Sequence, residues 1–248
     1  MADDPKVAFV TGAASGIGRA TAEALIRRGY STALADIDER AGHDVESQLR
    51  ELGECTFVRC DVTDDDAVRD AVGRAVSLYG GLHAAFNAAG IDGEHGKATA
   101  DATMENWNRV LSVDLTGTFS CLRHELPAIV ASGGGSIVNC ASVAGLKAAA
   151  TVSAYTAAKH GVIGLTKAAA VEYGRAGVRV NAVCPGTVDT PMFRASMPEQ
   201  LIERLKRTSP VGRLAEASEI ADVVVWLCED APGFLTGQAI AIDGGTTA

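Results

Sequence analysis

The sequence lacks any apolar run of the roughly 18 residues that a membrane-spanning helix requires, so no span is expected. It also lacks a basic excess. Its 22 Lys and Arg stand against 31 Asp and Glu, a net charge of −9, with no basic patch, and nucleic acid is not an expected partner. Aromatic residues make up only 5%, so a core must be built from Ala, Val, Leu and Ile. None of the six cysteines (Cys55, Cys60, Cys121, Cys140, Cys184 and Cys228) forms a C-x-x-C pair. Several lie in apolar runs, where cysteine acts as a small core residue, and all read as reduced thiols. The first residues, Met-Ala-Asp-Asp-Pro, carry acid where a secretory signal carries positive charge, and a cytoplasmic protein is expected. The densest acidic run, Asp64-Asp65-Asp66, lacks the alternation and central Gly of a calcium loop. It follows Thr63, a candidate N-cap, and reads as a helix first turn; no metal is expected.

What is present is ordinary globular composition, 47% hydrophobic and 21% charged, in 248 residues that fit one α/β domain. Short apolar runs at Val7–Thr11, Ser31–Ala35, Thr56–Arg59, Ala84–Asn87, Ser136–Cys140, Val178–Cys184 and Ala239–Ile242 alternate with longer helix-like stretches. The latter fall near 17–28, 39–52, 65–79, 104–130, 153–174 and 217–228. The strand-like runs lack period-2 alternation, as expected of strands covered on both faces. The pattern predicts a single doubly wound, Rossmann-type α/β domain with a seven-stranded parallel sheet and helices on both faces. Between Pro185 and Ala217 no strand is expected, only a short helix near Pro198–Arg207. A long connection leaving the sixth strand sits where ligands bind in such sheets, so the insertion at about 187–215 reads as a substrate lid.

Glycine is abundant: 27 residues, about 11% against a usual 7% or so. Three glycines punctuate the turn after the first strand, Thr11-Gly12-Ala13-Ala14-Ser15-Gly16-Ile17-Gly18, spaced G-x-x-x-G-x-G and followed by a helix-like stretch. Such a turn lets backbone approach a pyrophosphate at a helix N-terminus. Asp36 ends the second apolar run, 18 residues beyond Gly18, close to the spacing of a ribose-binding acid. Its carboxylate would accept both ribose hydroxyls and repel a 2′-phosphate. With Ala13, Ala14 and Ser15 before Gly16, no base stands there to hold that phosphate, and NAD is favoured over NADP.

Tyr155 and Lys159, four apart, share a helix face. An ammonium beside a phenol favours the phenolate, so the pair is expected to bring the tyrosine toward neutral pH as a general base. Ser142 ends the fifth strand, where its hydroxyl could donate to a substrate oxygen or serve only as a cap.

Over essentially its whole length the chain resembles the short-chain dehydrogenase/reductase family. The resemblance rests on Thr11–Gly18, Asp61-Val62, Asn87-Ala88-Ala89-Gly90, Ser142, Tyr155-x-x-x-Lys159, Pro185-Gly186 and Asp243-Gly244-Gly245, jointly specific in order and spacing. It implies that Gly12, Ser15, Gly16, Ile17 and Gly18 hold the cofactor pyrophosphate, that Asp61 and Val62 hold the adenine, and that Asn87, Ala88 and Gly90 line the central crevice. Tyr155 would be the acid/base. Lys159 would bind the nicotinamide ribose and lower the tyrosine pKa, and Ser142 would orient the substrate oxygen. Pro185, Gly186, Val188 and Thr190 would hold the carboxamide. One position departs: where the family has Asn in a V-N-x-x-G context, Val113-Asp114-Leu115-Thr116-Gly117 has Asp. The family's asparagine holds a kinked helix whose backbone carbonyl binds a relay water. Asp114 keeps the carbonyl and an acceptor oxygen, loses the amide donor and brings charge toward Lys159; it is counted with the catalytic set.

The expected activity is therefore NAD-dependent hydride transfer between a secondary alcohol, or its ketone, and nicotinamide. The alternatives are an NADPH-dependent 3-ketoacyl reductase, a non-enzymatic NAD-binding regulator, and a sugar-nucleotide epimerase or dehydratase, which needs a larger C-terminal substrate domain. The pocket is expected from Ile91–Lys97, Val143–Ala150 and the lid, a mixture suited to a polyol, cyclic alcohol, terpenoid or steroid. Small residues from Ala157 to Ala170 permit close helix packing, and the resemblance implies a homotetramer.

Overall fold

A computed structural model describes residues 5–248. Seven parallel strands, β1 (Val7–Thr11), β2 (Ser31–Asp36), β3 (Cys55–Arg59), β4 (Ala84–Asn87), β5 (Gly135–Cys140), β6 (Val178–Pro185) and β7 (Ala239–Ile242), form one sheet. Their order is β3-β2-β1-β4-β5-β6-β7, the expected doubly wound, Rossmann-type sheet. The order reverses between β1 and β4, where Thr11 is the register partner of Asn87. The crevice outside the strand C-termini opens at that point.

Alternate strand residues feed two separate cores, which explains the unbroken apolar runs. Ala8, Val10, Leu34, Phe86 and Val138 pack under α1 (Gly16–Arg27), α2 (Glu39–Leu49) and α9 (Ala217–Glu229). Val7, Phe9, Ala33, Ala85 and Ile137 pack under α3 (Asp65–Tyr79), α5 (Gly117–Ala131) and α6 (Ser153–Tyr173). The scarce aromatics are divided between the layers: Phe9 and Phe86 are both fully buried, one on each face.

Three local expectations change. The cap of α3 is Asp64, whose carboxylate accepts from the Asp66 and Ala67 amides at 3.0 and 3.3 Å; Thr63 instead donates to Asp61. The stretch expected as one helix over 104–130 is three pieces: α4 (Met104–Val110), a π-helical turn (Leu111–Thr116) and α5. A π turn widens the helix by one residue, a shift that hydrophobic periodicity does not register. The insertion at about 187–215 holds two helices rather than one, α7 (Pro191–Ser196) and α8 (Glu199–Thr208). A single parallel bridge between Val188 and Ala215 closes its neck. Among the described residues no helix is long and apolar enough to cross a membrane.

Candidate active site

The glycine turn is built by close backbone approach. A Cβ on Gly18 would lie 2.2 Å from the Gly12 carbonyl oxygen, and Gly12, at φ +66°, leaves only 3.0 Å between such a Cβ and the Ala89 amide. The first turn of α1 is therefore pressed against the exit of β1, which in turn is pressed against the exit of β4. Thr11 Oγ1 ties the two exits by accepting from the Ala88 and Ala89 amides at 3.1 and 3.2 Å. Ser15 occupies the N-cap position without a side-chain cap bond among the described residues, and no acid stands in the first turn. The amides of Gly16, Ile17 and Gly18 thus suit an anionic pyrophosphate. Thr190 faces this turn from the far side: its Cγ2 lies 3.3 Å from where a Gly16 Cβ would sit.

Asp36 is fixed beside the turn. Its Oδ2 accepts from the Ala14 amide at 2.9 Å and its Oδ1 from the Asp38 amide at 3.0 Å. It does not cap α2; Asp38 does, accepting from the Ala41 amide at 3.0 Å. Asp61 turns one carboxylate oxygen back to Thr63, and Val62 packs against Gly117 at the start of α5. These residues fit a nicotinamide dinucleotide: the cradle beside Gly12 and Gly18 admits no Cβ, and the fixed acid suits a ribose diol.

Asn87 proves to be interior. Its amide donates to Glu125 Oε2 at 2.9 Å and to Asn139 Oδ1 at 3.0 Å, and Asn139 donates to Thr166 Oγ1 at 3.0 Å. This buried polar chain binds β4 and β5 to α5 and α6. Burial pushes the Glu125 carboxyl up to about 8, opposed only by the Asn87 amide. Nothing in the sequence singles out Glu125, because its burial depends on which face of α5 meets the sheet.

The catalytic candidates meet at the exit of β5. Ser142 begins a short 3₁₀ turn (Val143–Gly145), and its Oγ accepts from the Ala144 amide at 3.1 Å. That bond occupies an acceptor site and leaves the hydroxyl proton to donate. Both roles read from the sequence, cap and donor, are thus compatible in one side chain. On α6, Lys159 Nζ lies 5.3 Å from the Tyr155 ring centroid and donates to the Cys140 carbonyl at 3.1 Å. Asp114, held in the π turn, completes the cluster: its Oδ1 accepts from the Ile91 amide at 2.9 Å, and its Oδ2 lies 3.1 Å from Lys159 Nζ. The Nζ–Oδ2 approach lacks hydrogen-bond alignment, so Oδ2 has no directed donor among the described residues and the contact is an ion pair. Thr118 Oγ1 donates to the Asp114 carbonyl at 2.7 Å.

The electrostatics correct one expectation. Tyr155 is not brought toward neutral pH; burial pushes its hydroxyl up to about 12, outweighing the pull of Lys159 and Ser142, while Asp114 adds to the rise. Burial alone would lower Lys159, but Asp114 and then Tyr155 hold it above the usual lysine range. Burial raises Asp114 against the opposing Lys159 ammonium and Ile91 amide.

The other candidate segments are placed as follows. Gly186 donates to the Ile242 carbonyl at 3.0 Å just beyond Pro185, Val188 is buried at the neck of the insertion, and Thr190 caps α7, accepting from the Phe193 amide at 3.3 Å. Ser196 Oγ in the insertion donates to Asp92 Oδ2 at 3.1 Å, joining it to the Ile91–Lys97 loop. His95 sits 3.8 Å from the same carboxylate.

A family profile described as "Enoyl-(Acyl carrier protein) reductase" matches residues 12–247. The chain is 42% identical over 243 residues to cyclohexanol dehydrogenase of Acinetobacter sp. (strain SE19), covering 98% of this chain and 95% of the relative. It is 43% identical over 244 residues to cis-4-hydroxycyclohexanecarboxylate dehydrogenase of Sinomonas cyclohexanicum, covering 98% and 97%. Among solved structures it is similar to levodione reductase, with a TM-score of 0.94 and 36% identity over 97% of this chain and 96% of that one. A variant of actinorhodin polyketide ketoreductase with NADPH gives a TM-score of 0.93 and 35% identity over 98% and 97%. With this fold, these motifs and these relatives, the chain belongs to the short-chain dehydrogenase/reductase family of nicotinamide-dependent oxidoreductases.

Proposed function

We propose that the protein is an NAD-dependent dehydrogenase that interconverts a secondary alcohol, of the cyclic cyclohexanol type, and its ketone. The observation that carries this reading is the convergence of Ser142, Tyr155 and Lys159 at the exit of β5, beside the glycine turn and under the lid. The substrate class is supported by relatives whose names specify cyclohexanols and substituted cyclohexane alcohols. Bound nicotinamide supplies a two-electron acceptor or donor for hydride.

The chain's own residues supply the proton chemistry and the orientation. Tyr155, as phenolate, takes the hydroxyl proton during oxidation and returns it during reduction. Ser142 donates its hydroxyl proton to the substrate oxygen, stabilising charge as the carbonyl forms. Lys159 has three donors; Cys140 takes one, the Asp114 ion pair engages the cation, and the remainder can reach a ribose hydroxyl. The amides at the start of α1 would hold the pyrophosphate, with Asp61 and Val62 beside the adenine and Pro185, Gly186, Val188 and Thr190 along the carboxamide. Residues 187–215 act as the substrate lid.

NAD is favoured because the Asp36 carboxylate, held beside the glycine turn by the Ala14 and Asp38 amides, would accept ribose hydroxyls and repel a 2′-phosphate. The solved ketoreductase with NADPH keeps the reductase reading in view. The two are separated by one experiment: affinities for NADH and NADPH, with oxidation of cyclohexanol and of linear secondary alcohols followed by reduction of NAD. NADH should bind at least about tenfold more tightly, and Asp36→Ser should erase most of that preference. Equal or reversed affinities in the unaltered protein would overturn the cofactor assignment; NADH binding with no turnover of any alcohol would favour a regulator.

A homotetramer is part of the proposal. An apolar groove between α5 and α6, lined by Leu115, Phe119, Gly161, Gly164 and Leu165, lies on the outer surface near exposed Val171. Sedimentation at assay concentration tests it, and a strict monomer would contradict it. The six free thiols suit a cytoplasmic protein.

A further inference from the structure

We propose that Asp114 is a charge-setting residue: its carboxylate neutralises Lys159, so the Tyr155 phenolate forms only in a more alkaline range than it would beside an unpaired lysine. The inference rests on the assignment of Tyr155 as acid/base and deepens it. It starts from the replacement of an expected amide by a carboxylate in the π turn, and from where that carboxylate lies.

Both members of the pair are buried, with side-chain exposures of 0% for Asp114 and 6% for Lys159, and their charged atoms are 3.1 Å apart. The pair is anchored at both ends. The Ile91 amide holds one carboxylate oxygen, the Cys140 carbonyl holds the ammonium, and Gly90, without a side chain, leaves room beside them. A Cβ on Gly90 would lie 3.3 Å from Asp114 Oδ2 and 3.4 Å from Lys159 Nζ. Asp114 and Lys159 are thus each anchored to backbone while their charges face one another. A cation alone stabilises a nearby phenolate; a cation with an anion on its other side does so far less, because the two fields partly cancel. Asp114 and Lys159 shift Tyr155 in opposite directions, consistent with this cancellation.

The other groups facing the cluster do not replace the lost charge. From β5 comes the Cys140 thiol, pushed up by burial, and from β6 the Cys184 thiol, pushed up to about 12 by burial, so both are neutral in the working range. Ser142 contributes a neutral hydroxyl that favours the phenolate. From the loop after β4, Asp92 adds further negative charge on the Asp114 side. An amide at position 114 would keep an acceptor for the Ile91 amide while removing the negative charge. The substitution therefore isolates charge from packing.

The test compares Asp114→Asn with the unaltered protein by two readouts. The first needs no cofactor: ultraviolet titration of tyrosine ionisation, with the signal of Tyr155→Phe subtracted from the unaltered protein and that of the double variant from Asp114→Asn, so that only Tyr155 is read. The second is the pH profile of kcat/KM for alcohol oxidation. In Asp114→Asn the Tyr155 titration and the limb of the profile should both move to lower pH by about one unit or more, a roughly tenfold change in proton affinity. Asp114→Ala should move the titration in the same direction although it loses the Ile91 bond. A Tyr155 titration that stays in place or moves upward in Asp114→Asn would overturn the proposal. If the titration moves but the profile does not, the charge-setting role stands for the phenol and the assignment of Tyr155 as the base falls.

Discussion

Among the described residues two carboxylates lie buried, Asp114 and Glu125, and they are treated in opposite ways. Asp114, in the π turn beneath Gly90, faces a lysine at 3.1 Å. Glu125, about three turns further along in α5 beside Asn87, faces only an amide at 2.9 Å, and its Oε1 has no partner among the described residues. Burial raises both. At the first site a fixed cation favours the charged carboxylate. At the second only the Asn87 amide does, and burial outweighs it, so the cheaper state is the protonated acid. A protonated Glu125 can also use its otherwise orphaned oxygen as a donor. The catalytic corner is thus an ionic region and the floor of the nucleotide crevice a neutral one.

The comparison is broken most forcefully by removing the cation. Lys159→Met should leave Asp114 as an unpaired buried charge and destabilise the fold by about 3–5 kcal/mol, measured by urea unfolding. A loss under about 1 kcal/mol would mean that Asp114 is already neutral. Glu125→Gln, by contrast, removes no charge from the folded protein and should alter stability little where the unfolded carboxyl is protonated too, near about pH 4. The sign at higher pH follows from linkage. The folded carboxyl titrates at about 8, well above its unfolded value, so folded protein holds the proton longer than the unfolded chain. Its contribution is complete below the unfolded value, near about 4.3, and is lost as pH rises through the folded value. Glu125→Gln should therefore gain on the unaltered protein between pH 6 and pH 9; parallel curves would contradict the neutral assignment. The smallest effect sharpens the contrast most cleanly. The infrared stretch of a protonated carboxyl at pH 7 should vanish in Glu125→Gln and persist in Asp114→Asn.

Local features were legible in the sequence. The runs Val7–Thr11, Ala84–Asn87 and Ala239–Ile242 bound their strands because apolar runs end where the sheet does. The glycine turn and the Tyr155–Lys159 face were legible because their chemistry is carried by short spacings. The carboxylate expected to come toward Lys159 does so. What could not be read needs distant partners. The π turn changes helical phase without altering composition. The burial of Glu125 depends on Asn87 and on the packing of α5. The behaviour of Tyr155 was misread because a lysine four residues away was weighed without the burial that dominates it. Thr63 and Asp64 were exchanged as caps because either residue type serves, and only the backbone course decides.

The central claim, that Tyr155 performs the proton step of an alcohol–ketone interconversion, is tested most directly by Tyr155→Phe. The variant should bind NADH with near-unaltered affinity, since the cradle around Gly12, Gly18 and Asp36 is untouched, and should lose turnover of every alcohol that the unaltered protein oxidises. Retained turnover in a folded, NADH-binding Tyr155→Phe protein would contradict the account.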